Sequence, residues 1–269
     1  MRKIFCYSGT GNSLASAKIL AEEFGAAIVH ITAELVESAP QVEGEMCIII
    51  FPVYGYGLPM LVKRFLRASR FSRETDIIVL STIGSKHGGA IAEAIRMVRR
   101  RGGRVRYSWG IKAVENYVHM FRLPPEERLK VICERQREKT YAVAKNIRDG
   151  KRNRRFPFRP ESAFVRFVFR RASRVFARRY KFTDACNGCG VCYRVCPPLA
   201  IDMVERKPKV MPKKCDHCQA CMQLCPARAI HFGRVTPEGR RYLHQDIGVK
   251  ELMRRELPVM EKAESETVR

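Results

Sequence analysis

A run of four cysteines occurs twice at a fixed offset, and no other feature restricts the fold of this chain as strongly. Cys186, Cys189, Cys192 and Cys196 are followed by Pro197, and Cys215, Cys218, Cys221 and Cys225 by Pro226. Both runs read C-x2-C-x2-C-x3-C-P, and the offset of 29 residues extends to Ala200-Ile201 and Ala229-Ile230. Three thiolates two residues apart can wrap an iron–sulfur cluster on one tight loop, with the fourth ligand coming from elsewhere in the chain. Zinc also takes C-x2-C pairs, but four evenly ordered cysteines plus proline, twice over, suit it poorly. Gly188 and Gly190 let backbone pass close to sulfur, and His217, inside the second run, reads as a surface residue rather than a ligand. The odd total of eleven cysteines argues against a disulfide framework, and Cys6, Cys47 and Cys133 read as small buried apolar residues.

The repeat resembles bacterial-type two-cluster ferredoxins over residues 183–235. In that pattern the fourth cysteine of each run serves the other cluster. The resemblance therefore implies two [4Fe-4S] clusters, one on Cys186, Cys189, Cys192 and Cys225, the other on Cys215, Cys218, Cys221 and Cys196. Such an exchange knits the halves together and makes folding depend on the clusters.

Residues 1–149 alternate short apolar runs with amphipathic stretches. Strands are expected at 3–7, 27–31, 46–51, 76–82 and 105–111, with helices at 13–24, 61–68, 90–101 and from Pro124-Pro125 to about 149. This order predicts an α/β fold, a doubly wound five-stranded parallel sheet with helices on both faces. After the first strand, Ser8, Gly9, Thr10, Gly11, Asn12 and Ser13 lead into a helix. A helix amino terminus binds phosphate, and the hydroxyls of Ser8, Thr10 and Ser13 add donors. The loop has no lysine, as a P-loop requires, and Leu14 stands where a dinucleotide fingerprint needs its third glycine.

That hydroxyl-rich loop resembles the FMN loop of flavodoxins, whose Ser/Thr-x-Thr-Gly-x-Thr/Ser pattern is met by Ser8, Thr10, Gly11 and Ser13. The resemblance implies two further loops over the flavin ring. The first carries Pro52, Tyr54, Gly55, Tyr56 and Gly57, with Tyr54 or Tyr56 stacking on the ring. The second carries Ser81, Thr82 and Gly84, with His87 near its end, and Asn116 and Tyr117 border the same site. Together the halves resemble the fused flavodoxin–ferredoxin proteins known as ferrodoxins, which implies FMN, iron–sulfur clusters and electron transfer.

Between the halves, residues 150–182 hold twelve Lys or Arg and one acid, Glu161. They predict a basic amphipathic helix over 164–180. Phe164, Val168, Ala172, Val175 and Phe176 form its apolar, packing face, and Arg166, Arg170, Arg174 and Arg178 another. The whole chain has 51 basic and 27 acidic residues, a net charge of +24, whereas flavodoxins are commonly acidic. Such a balance favours an acidic redox protein as partner. It also admits peripheral membrane contact through the basic helix and, without a recognised motif, nucleic acid. Turnover of a small-molecule acceptor at the flavin is a further reading. The basic start has no apolar stretch of signal-peptide length behind it, so a cytoplasmic protein is expected. Residues 236–269 form an unassigned tail with a short helix expected near 248–257.

Overall fold

In the computed structural model, which describes residues 1–85, 88–151, 156, 160–233 and 239–257, the amino-terminal half forms one parallel sheet. Its strands are β1 (Arg2–Cys6), β2 (Ala27–His30), β3 (Met46–Pro52), β4 (Asp76–Ile83) and β5 (Arg104–Lys112), in the order β2-β1-β3-β4-β5. This is the flavodoxin-like strand order, and it puts a switch point beside β1, where loops diverge at the carboxyl ends of the strands. Alternation along β1 feeds both faces: Ile4 and Cys6 pack with α1 (Asn12–Phe24), while Phe5 and Tyr7 pack with α2 (Met60–Ala68). β3 is buried from Met46 to Phe51, as expected of a central strand covered on both sides. α3 (Ala90–Arg100) joins α2 on one face and α4 (Glu126–Arg148) joins α1 on the other. Cys6, Cys47 and Cys133 are buried, as expected.

After α5 (Pro160–Phe176) the chain forms β6 (Tyr180–Phe182), α6 (Val191–Arg194), the hairpin β7 (Ile201–Val204) and β8 (Lys207–Val210), α7 (Ala220–Gln223) and β9 (Ile230–Phe232). β6 and β9 pair antiparallel and close this module. The sequence repeat is a structural repeat: α6 and α7 lie 29 residues apart, each after a residue in the left-handed region, Gly190 (φ 69°) and Gln219 (φ 63°). The amide of Ala200 donates to Cys196 Sγ at 3.2 Å, and that of Ala229 to Cys225 Sγ at 3.3 Å.

Three expectations change. The α5 face predicted to pack is turned outward, with Phe164 71%, Val168 46% and Val175 59% exposed. Of that face Phe176 packs as expected, and the other packing falls to Phe169 and to Arg166, whose guanidinium lies 3.7 Å from the Glu93 carboxylate. Docking against the sheet decides which face is covered, and two faces of this helix carry apolar residues. Second, the described part of the tail, residues 239–257, forms a strap with a 3-10 turn at Val249–Leu252 in place of the expected helix. Ile247 and Leu252 join the α1-side core, Glu251 pairs with Lys18 at 2.6 Å and Asp246 with Arg137 at 3.2 Å. Third, His217 is buried, 2% exposed, at the seam between the two modules. Its repeat docks on the sheet, whereas a repeat standing free would leave it in water. Of the described helices, none is long and apolar enough to cross a membrane.

Candidate functional site

The loop after β1 is tightly packed. Ser8 Oγ accepts from the Gly11 amide at 3.2 Å, Ser13 Oγ lies 2.8 Å from Thr82 Oγ1, and the Asn116 amide donates to Thr10 Oγ1. The cluster-bearing segment lies directly on it. A Cβ on Gly9 would stand 3.0 Å from the Cys218 carbonyl oxygen, and the His244 amide donates to the Thr10 carbonyl at 3.0 Å. Ser8, Gly9, Thr10, Gly11 and Ser13 are therefore buried beneath Cys218 and the tail strap, and they do not border the neighbouring cavity. Asn12 does border it, so the first turn of α1, whose amides lack intrahelical partners, meets that space.

The cavity, of about 270 Å³, lies where the flavin-ring loops were expected. Pro52, Tyr54, Gly55 and Tyr56 line it from the first loop, and Thr82 and Gly84 from the second. Asn116 and Tyr117 contribute from the segment after β5. Gly57 lies in an adjoining hollow, and Ser81 is buried behind the wall. Tyr54 and Gly57 exchange backbone hydrogen bonds of 3.0 and 2.9 Å around Gly55 (φ 52°) and Tyr56 (φ 60°), a tight hairpin turn that fixes both tyrosines. Gly55 is required twice over, because a Cβ there would stand 2.2 Å from the Phe169 ring of α5. His87 lies outside the described residues.

Sequence reasoning missed the opposite wall. Phe169 and Val165 come from α5, Met120 and Phe121 from the segment after β5, and His217, Cys218 and Gln219 from the second cysteine run. The Glu115 carboxyl, also at the wall, is pushed above the usual carboxylate range by burial. One signal was legible: at the 29-residue offset His217 and Gln219 replace Gly188 and Gly190. Both keep the left-handed backbone of those glycines, with φ 57° and 63°. That costs a residue with a side chain about 1 kcal/mol or more.

The eight cysteines of the two runs lie close together. Cys192 lies within electrostatic reach of Cys225, Cys189 and Cys186, and Cys221 of Cys218, Cys215, Cys196 and Cys192. Burial pushes the thiols of Cys192 and Cys215 up to about 12, so iron would have to displace their protons. Among the described residues, no three potential ligands close around a single metal ion. Asp216 joins the modules: its carboxylate accepts from Tyr7 Oη at 2.9 Å and from the Leu61 amide, in the first turn of α2, at 3.0 Å. A network of His119, Tyr180 and His217, linked at 3.2 Å on each side of the Tyr180 hydroxyl, fills the seam behind the cavity.

Residues 185–242 match the family model of the 4Fe-4S dicluster domain. The chain thus joins a flavodoxin-like α/β sheet to a 4Fe-4S dicluster domain. Among solved structures it is similar to a Streptococcus pneumoniae TIGR4 flavodoxin, with 16% identity, 53% of this chain and 98% of that one covered, and a TM-score of 0.33. It is also similar to the Trp repressor binding protein of Bacillus subtilis, with 12% identity, 54% and 96% covered, and a TM-score of 0.38. An azoreductase of Bacillus anthracis str. Sterne stands at 9% identity, 54% and 98% covered, and a TM-score of 0.38. No curated protein matches the chain.

Proposed function

We propose that this protein relays electrons between FMN, held in the cavity, and two [4Fe-4S] clusters on the eight cysteines. One observation carries the reading: Cys218, assigned to the second cluster, is itself part of the cavity wall. A ring in the cavity would thus lie against a cluster ligand, with no intervening layer of protein. The lining suits such a ring. Tyr54, Tyr56, Tyr117 and Phe169 offer flat apolar surface, while Asn12, Thr82, Asn116 and Gln219 offer polar groups. When bound, a flavin exchanges two electrons with one partner and single electrons with a cluster. The chain's own residues bind, orient and exclude water, and none is required as a nucleophile.

Arg64, Arg171, Lys213 and Lys214 ring a separate hollow of about 300 Å³ that reaches Cys215. Four cations around a cluster ligand support an acidic redox protein as the partner that exchanges electrons there. A second reading, reduction of a small-molecule acceptor at the ring, is favoured by one feature. Met120 and Phe121, which line the cavity, are 71% and 47% exposed, leaving an apolar approach to it.

Anaerobic purification with iron, sulfide and flavin assays, then EPR of the reduced protein, tests the relay. About eight irons and one FMN per chain, with interacting reduced clusters, is the expected result. Eight irons without flavin would remove the amino-terminal half from the relay. Steady turnover of a quinone or nitro compound without a protein partner would favour the second reading.

A further inference from the structure

Gln219 stands in a position that a glycine would fill at lower cost. Its counterpart 29 residues earlier is Gly190, and both precede a one-turn helix from the left-handed region. In the second run the strain is retained together with a side chain, and the residue borders the cavity. It is 3% exposed and its orientation is determined by hydrogen bonds. The Val118 amide donates to Gln219 Oε1 at 3.2 Å, and Gln223 Nε2 donates to the same oxygen at 3.4 Å. Swapping the amide ends would set a donor against both donors, so Nε2 is the free end. Among the described residues this buried Nε2 has no acceptor.

A buried amide donor without an acceptor, on a strained backbone and in the wall of a cavity, is best explained by a ligand that supplies the acceptor. We infer that Gln219 is a flavin-binding residue contributed by the cluster-bearing segment, its Nε2 donating to an acceptor on the polar edge of the ring. Gln223 supports it from behind, since its Nε2 also donates to the Asn116 carbonyl at 3.0 Å and its Oε1 accepts from the Tyr242 amide at 2.9 Å. Loops from three parts of the chain are thereby joined behind Gln219. The inference rests on the flavin reading of the cavity and adds to it that the second cysteine run holds the ring as well as the iron.

The test uses the full-length, iron-loaded chain, titrated anaerobically with FMN while flavin fluorescence quenching is followed. Gln219→Glu keeps the oxygen that accepts from Val118 and Gln223 and replaces the donor with an acceptor. It is expected to retain its iron and to bind FMN about tenfold more weakly. At saturating FMN, its flavin absorption bands should be displaced from those of the native protein. Gln219→Gly, which relieves the strained backbone, should also retain iron and lose affinity. Affinity and spectrum unchanged in both variants would overturn the role. So would loss of iron in step with loss of flavin, which is the mark of a structural residue. A native chain that loads eight irons and binds no FMN would overturn the relay itself, and this inference with it.

Discussion

The two cysteine runs share spacing, backbone and the hydrogen bonds to their fourth sulfurs, yet they occupy opposite environments. In the first, Gly188 and Gly190 make the left-handed turns, and Asn187 accepts from the Cys189 amide at 3.2 Å within an exposed loop. In the second, the equivalent residues are His217, Gln219 and Asp216, all buried against the α/β sheet. The two loops share their ligand spacing, and the one docked on the sheet carries different residues between its cysteines. Ligand spacing therefore reports on the cluster, and the intervening residues report on what the cluster faces.

The largest effect should come from breaking each run in turn. Cys189→Ala is expected to lose one cluster and weaken the other while retaining FMN, whereas Cys221→Ala should lose iron and FMN together. Iron, sulfide and flavin assays on both proteins decide this, and equal flavin loss would erase the distinction between the runs. Next is the pair Asp216 and Asn187. Asp216→Ala removes an acceptor from the first turn of α2 and strands the buried Tyr7 hydroxyl. It should destabilise the protein by about 2 kcal/mol in urea unfolding. Asn187→Ala, in water, should cost about 0.5 kcal/mol or less.

Charge separates the runs in a third way. Lys213→Glu with Lys214→Glu should slow electron exchange with an acidic ferredoxin about tenfold at low salt and flatten its dependence on ionic strength. Arg67→Glu with Arg100→Glu, in the basic groove between α2 and α3, is the control for net charge. Stopped-flow rates that fall equally for both pairs would assign the effect to the overall field. The smallest effect concerns pH. Burial holds the His119 imidazole down at about 3, well below its ordinary 6.5, so the folded state favours the neutral ring. Its contribution is complete above pH 6.5 and is lost as pH falls towards 3. Urea midpoints between pH 7 and 5 should therefore decline less steeply in His119→Gln than in the native protein, with iron content followed in the same samples.

Much of this architecture was legible because its signals are local. Cysteine spacing carries the dicluster repeat, and apolar periodicity carries the sheet and its helices. The loop from Ser8 to Ser13 could be placed after β1 for the same reason. What escaped depends on contacts between segments far apart in the chain. The outward turn of Phe164, Val168 and Val175 follows from Phe169 seating on Gly55, more than 100 residues earlier. The strap buries Tyr242, Ile247 and Leu252 and packs Leu243, Val249 and Met253 beside them, and its role lies in reaching Asn12, where the Tyr242 hydroxyl donates at 2.6 Å. His217 was misread because a histidine between exposed loops belongs in water unless another module covers it.

The contact of Cys218 with Gly9 has a consequence for both cofactor sites. The cavity has walls from both modules, and the second cysteine run supplies one of them. Under the relay reading, the wall that holds the ring is also the wall that holds iron, so a change that disturbs one cofactor's loop reaches the other's site.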